Sequence, residues 1–117
     1  MNFTEYQELA ARTLIDQRET PLDEAQTMIA WNVIGLAGEA GEVCELIKKG
    51  VFHDHGVDRS SLAKELGDVL WYVAALATEY GLSLHDIAEA NIEKLRTRYP
   101  DGYSKAANQA KADEVVE

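Results

Sequence analysis

The sequence predicts an all-α protein whose four helices form a four-helix bundle-like fold. Apolar residues recur at spacings of three and four positions in four segments, which is the period of an amphipathic helix. Each segment follows a residue that commonly caps helices. The two central segments share an internal repeat and are joined by a predicted loop over residues 51–60, which is short enough for an antiparallel pair. We therefore expect antiparallel central helices that carry the acidic patterns E-x-x-E and E-x-x-D.

Start and stop signals define the four predicted helices. The predicted ranges are residues 2–18, 20–49, 60–80 and 83–100. The starts are assigned to a capping box of Asn2 and Glu5, to Thr20 ahead of Pro21, to Ser60 or Ser61, and to Ser83. Gly50 and Gly81 are predicted to end the second and third helices, and Pro100 is predicted to end the fourth.

Length and composition indicate one globular domain. A chain of 117 residues can bury a single core, and we assign residues 1–103 to one all-α domain and the polar residues 104–117 to a C-terminal tail. No apolar run approaches the roughly 20 residues of a membrane span. The N-terminus has no secretory pattern, and the single cysteine, Cys44, suits a reducing compartment as a core thiol. A cytoplasmic protein without a membrane partner is expected.

The formal net charge of −10 limits the ligands that the protein can bind. A nucleic-acid-binding surface needs basic residues that neutralise phosphates, so we expect no nucleic-acid partner. Any polyphosphate ligand needs a divalent cation between itself and the protein's carboxylates.

An internal repeat places acidic residues on both central helices. Residues 36–43 read LAGEAGEV and residues 62–69 read LAKELGDV, with five identical positions. Each copy puts two carboxylates three residues apart at the border of an apolar stripe. If the helices pack antiparallel, four carboxylates converge: Glu39, Glu42, Glu65 and Asp68.

Three glycines interrupt the first of these helices, at positions 35, 38 and 41. Each costs up to about 1 kcal/mol relative to alanine inside a helix. We expect them to allow a neighbouring helix or a ligand's phosphates to approach the backbone closely.

The repeated acid pairs predict a metal site. A single E-x-x-E pattern is common on solvated helix faces, but two aligned copies at the edge of an apolar stripe favour Mg²⁺, with Mn²⁺ as a substitute, because both cations prefer carboxylate oxygens. The absence of a Glu-x-x-His pair argues against a di-iron carboxylate bundle. His53, Asp54 and His55 lack a third convergent ligand and are interpreted as a solvated turn.

These motifs resemble those of the MazG-like family of all-α nucleoside triphosphate pyrophosphohydrolases. The family signature is E-x-x-E, an intervening stretch and then E-x-x-D, which matches the four carboxylates of the repeat. The surrounding residues also agree, and the resemblance covers about residues 25–100. The last predicted helix carries Asn91, Lys94, Arg98 and Pro100, which is similar to the family's N-x-x-K pattern followed by an arginine and a proline.

The resemblance implies that the four carboxylates hold Mg²⁺ and that Asn91 and Lys94 contact the nucleotide. Asn91 lies on the apolar stripe of its helix, so its amide needs either a ligand or a neighbouring helix end as a partner. Lys48 is a further candidate for the phosphates, with interaction with the helix dipole as the alternative. Trp31 is a candidate for stacking on a base, with a helix interface as the alternative.

One departure from the family concerns the acid that precedes E-x-x-E. Several relatives carry another glutamate immediately before E-x-x-E, where this chain has Gly38. This leaves fewer acids for a second metal. Glu45, one turn beyond Glu42, is a candidate for an extra ligand or for the base that orients water, a role for which Glu39 and Glu42 are also candidates.

The implied reaction is Mg²⁺-dependent hydrolysis of a (deoxy)nucleoside triphosphate to the monophosphate and pyrophosphate. Sanitation of the nucleotide pool is the expected role. A phosphoribosyl-ATP pyrophosphohydrolase-like enzyme and a non-catalytic helical adaptor are the alternatives, and the repeated acid pair counts against the adaptor. Broad apolar stripes on so short a chain, together with the resemblance, predict a homodimer or homotetramer with sites near subunit contacts.

Overall fold

The described residues form helices and irregular segments, and none of them forms a strand. The computed structural model describes residues 1–15, 18–53, 56–106 and 109. Four helices of nine or more residues form within these ranges: α1 (Phe3–Ala11), α2 (Glu24–Phe52), α3 (Arg59–Glu79) and α4 (Leu84–Arg98). The predicted all-α class is confirmed. Asp54, His55 and most of the predicted tail after residue 106 lie outside the described residues.

Two of the predicted helix starts are confirmed. Asn2 caps α1 in a capping box, in which the Glu5 amide donates to the Asn2 side chain at 2.9 Å and the Asn2 amide donates to the Glu5 carboxylate at 3.1 Å. Ser83 caps α4, and its hydroxyl accepts from the Asp86 amide at 3.2 Å. The predicted end of α1 is wrong, because the helix stops at Ala11 rather than near residue 18.

The boundaries of α2 differ from the prediction at both ends. The cap is Asp23 rather than Thr20, because Asp23 and Gln26 form a reciprocal capping box with bonds of 2.7 and 3.1 Å. At the other end the helix continues past Gly50 to Phe52. Gly50 is buried, and a Cβ at this position would lie 2.7 Å from the Gly56 carbonyl oxygen, so this glycine permits the loop to pack on the helix.

Asp58 rather than a serine caps α3. Its carboxylate accepts from the Ser60 amide and from the Ser61 hydroxyl, both at 3.0 Å, and these bonds hold the pKa of Asp58 below its ordinary value. The predicted end is confirmed, since the helix stops at Glu79 and Gly81 adopts the left-handed conformation with φ of 65°.

The central helices α2 and α3 pack against each other in antiparallel orientation, as predicted. Contacts pair the beginning of α2 with the end of α3, because Met28 and Thr78 line the same groove, whereas Glu39, further along α2, lies beside Asp68 near the start of α3. Among the described helices, this is the one pair that shares an extended interface.

The outer helices α1 and α4 do not complete a bundle within one chain. The molecule measures 55 by 41 by 33 Å, and its radius of gyration of 20.7 Å exceeds the about 13 Å of a compact domain of this length. Of the described apolar side chains, Ala77 is buried, whereas Trp31, Ile34 and Leu70 are more than half exposed. Bundle-like packing in the isolated chain is therefore limited to the α2/α3 pair.

Candidate metal centre

Three carboxylates from the two copies of the repeat meet at the α2/α3 interface. Glu39 comes from α2, and Glu65 and Asp68 come from the second and third turns of α3. Each of the three offers an oxygen, and these oxygens all lie within 4.8 Å of one another. Glu39 and Glu65 are half-buried, and Asp68 is exposed. We refer to Glu39, Glu65 and Asp68 as the carboxylate cluster.

The close packing of the two helices beside the cluster depends on Gly35 and Tyr72. A Cβ at Gly35, one turn before Glu39, would overlap the Tyr72 ring. The glycine therefore lets the ring of α3 lie against the backbone of α2. The Tyr72 ring is in turn held edge-on by Trp71, with ring centroids 4.9 Å apart. Gly38 and Gly41, by contrast, have open space where a side chain would be, so the predicted close approach is seen at Gly35 and not at the other two.

The electrostatics of the cluster favour a bound cation. Partial burial raises the pKa of Glu39 above its ordinary value, and so do a hydrogen bond with Glu65 and the negative charges of Asp68, Glu65 and Glu42. In the part of the chain that the structure describes, no lysine or arginine forms an ion pair with the cluster. Three hard oxygen donors without a compensating positive charge fit Mg²⁺ or Mn²⁺.

The fourth predicted ligand, Glu42, lies beside the cluster but is not part of it. Its side chain is exposed, and its oxygens are not among those that lie within 4.8 Å of one another. Its charge nevertheless contributes to the raised pKa of Glu39. The assignment of Glu42 as a metal ligand stays a prediction.

Glu45 and Lys48, a predicted base and a predicted phosphate partner, pair with each other in the described structure. The Lys48 Nζ lies 3.7 Å from Glu45, and Lys49 lies at the same distance from the other oxygen of that carboxylate. All three side chains are exposed, so each pair is an ordinary contact on the helix surface. Their roles toward a substrate remain predictions.

The structure does not bring Asn91, Lys94 or Trp31 to the cluster within one chain. Asn91 and Lys94 lie exposed on α4, which shares no extended interface with α2 or α3 among the described residues. Trp31 is 67% exposed and lines a separate apolar groove with Ile34 and Gly35. Cys44 is also exposed, so the expected core position of this thiol is wrong.

Sequence reasoning missed two side chains that line the groove at the cluster. Trp71 and Tyr72 form the walls of a groove of about 350 Å³ with Glu39 and Asp68. The signal was present in the spacing, because residues three and four positions after Asp68 lie on the same face of α3.

A second acidic group lies on α4, where His85, Asp86 and Glu89 offer ligand atoms within 4.8 Å of one another. All three side chains are exposed, and they come from adjacent turns of one helix. His85 already contacts Glu89 at 3.2 Å, and an acid in the first turn complements the helix dipole. These features are those of a solvated helix surface.

Comparison with known proteins gives a family and two relatives. Residues 26–103 match the family of MazG nucleotide pyrophosphohydrolase domains. The "Gene 37 protein" of Mycobacterium phage L5 is 38% identical over 78 residues, which cover 63% of this chain and 68% of the phage protein. The "Uncharacterized protein YvdC" of Bacillus subtilis (strain 168) is 34% identical over 76 residues, which cover 55% of this chain and 69% of that protein. No solved structure matches the chain significantly.

Proposed function

We propose that this chain, which belongs to the family of MazG nucleotide pyrophosphohydrolase domains, is an Mg²⁺-dependent enzyme that converts a (deoxy)nucleoside triphosphate to the monophosphate and pyrophosphate. The carboxylate cluster is the observation that carries the proposal, because both copies of the repeat contribute to it and its oxygens lie within 4.8 Å of one another. Sanitation of the cytoplasmic nucleotide pool is the proposed role.

Glu39, Glu65 and Asp68 are the residues that would hold the metal, with Glu42 as a neighbouring ligand. When bound, Mg²⁺ supplies positive charge to the phosphate oxygens and lowers the pKa of a coordinated water. The half-buried Glu39 lies at the cluster and is the first candidate to orient the attacking water and to accept its proton. Glu42 and Glu45 are alternatives for that role on the same helix.

The groove beside the cluster supplies the space for the substrate. Trp71 and Tyr72 form its apolar walls, and Asp68 and Glu39 form its acidic end. A triphosphate at the acidic end would have its α-phosphorus beside the water-orienting carboxylate, which is the arrangement that in-line displacement requires. Lys94 and Asn91 are proposed to contact the nucleotide from α4.

We further propose that the enzyme is a homodimer or homotetramer with its sites near subunit contacts. The apolar faces of α1 and α4 are not covered within the described chain, and Trp31 and Ile34 on α2 are also exposed. A second copy that covers these faces would bury apolar surface that one chain leaves in water.

Product analysis tests the proposed reaction. Canonical and modified nucleoside triphosphates and phosphoribosyl-ATP are incubated with Mg²⁺ and the full chain, and products are identified by chromatography. The double variant Glu39→Gln, Asp68→Asn is expected to lose activity by on the order of a hundredfold or more, because two metal ligands lose their charge. The matched control, Asp86→Asn with Glu89→Gln, removes the same charge from the exposed group on α4 and is expected to stay active.

Each alternative function has its own outcome in this experiment. Turnover of phosphoribosyl-ATP alone identifies the related pyrophosphohydrolase activity. If no substrate gives metal-dependent pyrophosphate, the enzyme proposal is wrong and the adaptor alternative is favoured.

A further inference from the structure

A second groove continues along the α2/α3 interface from the carboxylate cluster. It has a volume of about 400 Å³, and its lining includes Met28 and Asn32 of α2 and Trp71, Ala75 and Thr78 of α3. Trp71 also lines the groove at Glu39 and Asp68, so the two grooves meet at its ring. We refer to this second groove as the distal groove.

Asn32 is the unusual residue of the distal groove. It is 94% buried, since 6% of its surface remains accessible, and it lies among apolar residues of α2. Its side chain forms no hydrogen bond with any residue that the structure describes. Among the described residues, every polar side-chain atom that solvent cannot reach has a hydrogen-bond partner. Because the Asn32 amide has no such partner, its atoms must remain in contact with solvent. A buried amide in this situation is a donor and an acceptor without a protein partner.

The distance between Asn32 and the cluster suits one elongated ligand. Asn32 precedes Glu39 by seven residues, which is two turns and roughly 10 Å along the same face of α2. Trp71 and Ala75 follow Asp68 by three and seven residues on α3, so they continue the matching face of the partner helix. A ligand with its phosphates at the cluster would therefore extend along Trp71 toward Asn32.

The chemistry of the distal groove indicates which part of a ligand it takes. The exposed face of Trp71 offers a surface on which a planar ring can stack. The Thr78 hydroxyl donates to the Ala74 carbonyl at 2.9 Å, so its hydrogen is already used. The Asn32 amide is therefore the buried side-chain donor of this groove that has no partner among the described residues. An amide that presents a donor and an acceptor side by side matches the edge of a nucleobase that carries the complementary pair.

We propose that the distal groove is the site of base selection, in which Trp71 stacks on the nucleobase and the Asn32 amide bonds to its edge. This inference rests on the proposed function, because it takes the phosphates of the same nucleotide to lie at the carboxylate cluster. The predicted ligand is the base of a nucleotide, and the groove is expected to prefer the base whose edge places its donor and acceptor opposite the complementary groups of the Asn32 amide.

Substitution of Asn32 tests the role of the amide. Asn32→Asp replaces the NH₂ donor by an acceptor at nearly the same volume, and Asn32→Leu removes both polar groups. For each variant, kcat/KM is measured across the nucleotide panel. The ratio between the best and the worst base is expected to fall roughly tenfold or more, mainly through KM, because one bidentate contact is lost. Mn²⁺ affinity, measured by electron paramagnetic resonance, is expected to stay unchanged because the cluster is intact.

Gln7→Glu is the matched control, since it makes the same amide-to-carboxylate change at an exposed position of α1. It is expected to keep both the activity and the ranking of bases. If the Asn32 variants keep the wild-type ranking of bases, or lose activity equally on every nucleotide, the role of Asn32 in base selection is wrong while the hydrolase proposal stands.

Binding of nucleoside monophosphates tests the groove without any turnover. Binding of the base is expected to quench tryptophan fluorescence, and one base is expected to do so at lower concentration than the others. Trp71→Phe is expected to abolish the quenching. Asn32→Asp is expected to abolish the preference for one base. If the wild-type protein hydrolyses no nucleotide, the proposed function fails, but this binding measurement still decides the inference. Quenching that persists in Trp71→Phe, or that is absent from the wild-type protein, would overturn it.

Discussion

The carboxyl group of Glu39 lies where the two copies of the repeat meet. Its pKa is raised by partial burial, by the hydrogen bond with Glu65 and by three neighbouring negative charges. The folded protein therefore binds this proton more tightly than the unfolded chain does. Between pH 4.5, the ordinary pKa of this carboxyl, and its raised pKa in the folded protein, the free energy of unfolding falls as the pH rises. At neutral pH the ionised group therefore destabilises the metal-free protein.

Glu39→Gln is predicted to stabilise the metal-free protein at neutral pH, because it removes the ionised group. The gain should shrink as the pH falls from the raised pKa of the folded protein toward 4.5, and it should be absent below 4.5, where the wild-type carboxyl is protonated in both states. Addition of Mn²⁺ should raise the Tm of the wild-type protein and have little effect on the variant. Thermal unfolding followed by circular dichroism, with and without a chelator, checks both statements.

The control for this prediction is Glu8→Gln, the same change on the exposed surface of α1. It should leave both the Tm and the response to Mn²⁺ unaltered. A metal-free Glu39→Gln protein that is less stable than the wild type at neutral pH would contradict the account of the cluster as a site of unrelieved negative charge.

At the scale of the helices, the α2/α3 interface sets the position of the site. Gly35 allows the Tyr72 ring to lie against α2, and Glu39 and Asp68 lie one turn beyond this contact on either helix. Gly38 is also inside α2, but no atom lies within 4 Å of where its Cβ would be. Substitutions at these two glycines therefore distinguish the effect of helix packing, at Gly35, from that of helix propensity, at Gly38.

Gly35→Ala is predicted to lower the free energy of unfolding by about 1–3 kcal/mol, because the added methyl group must displace the Tyr72 ring. Gly38→Ala is predicted to raise it by about 0.5–1 kcal/mol, since alanine is the better helix former and meets no neighbour. Urea denaturation of the two variants measures both effects. If Gly35→Ala is as stabilising as Gly38→Ala, the ring does not fix the approach of the helices.

At the scale of the whole molecule, one chain leaves most of its apolar surface in water. Phe3 of α1, Ile34 of α2 and Leu70 of α3 are 92%, 72% and 57% exposed, respectively, and α1 and α4 share no extended interface with the described central pair. A chain with so little buried surface does not offset the conformational entropy of folding by itself. Association with further copies is the proposed way to cover these faces.

Light scattering after size-exclusion chromatography is predicted to give the mass of a dimer or tetramer of the 13.0 kDa chain. Ile34→Asp should shift the assembly toward the monomer, because it places a charge on an exposed apolar face of α2. Ile34→Leu keeps the apolar character and serves as the control. A wild-type protein that elutes as a monomer at all concentrations would refute the proposed assembly.

Comparison of the sequence with the structure shows which features local patterns can predict. The helix starts at Asn2 and Ser83 were predicted from cap hydrogen bonds that involve neighbours in the sequence. At α2 and α3 several nearby residues can cap, and the aspartates that do so, Asp23 and Asp58, were not the ones predicted. The repeat likewise predicted four converging carboxylates, and three of them, Glu39, Glu65 and Asp68, meet in the structure. Gly50 was misjudged as a helix end because its role depends on Gly56, which a local pattern does not reveal.

The lack of cover on the outer helices has the same non-local origin as the difference at Gly50. An apolar stripe predicts that a helix face is covered, but it does not indicate whether the cover comes from the same chain or from another copy. The positions of Asn91 and Lys94 relative to the cluster therefore could not be predicted from the sequence. Asn32 was likewise missed, because its significance depends on burial between two helices.

Hydrolysis in water labelled with the heavy oxygen isotope shows which phosphorus of the triphosphate the water attacks. With Mg²⁺ and the best nucleotide of the panel, mass spectrometry of the products is predicted to find the label in the monophosphate and none in the pyrophosphate, because the water attacks the α-phosphorus. The label should not be incorporated by Glu65→Gln, which lacks one carboxylate of the cluster. Label in the pyrophosphate, or no metal-dependent incorporation by the wild-type protein, would contradict the proposed reaction.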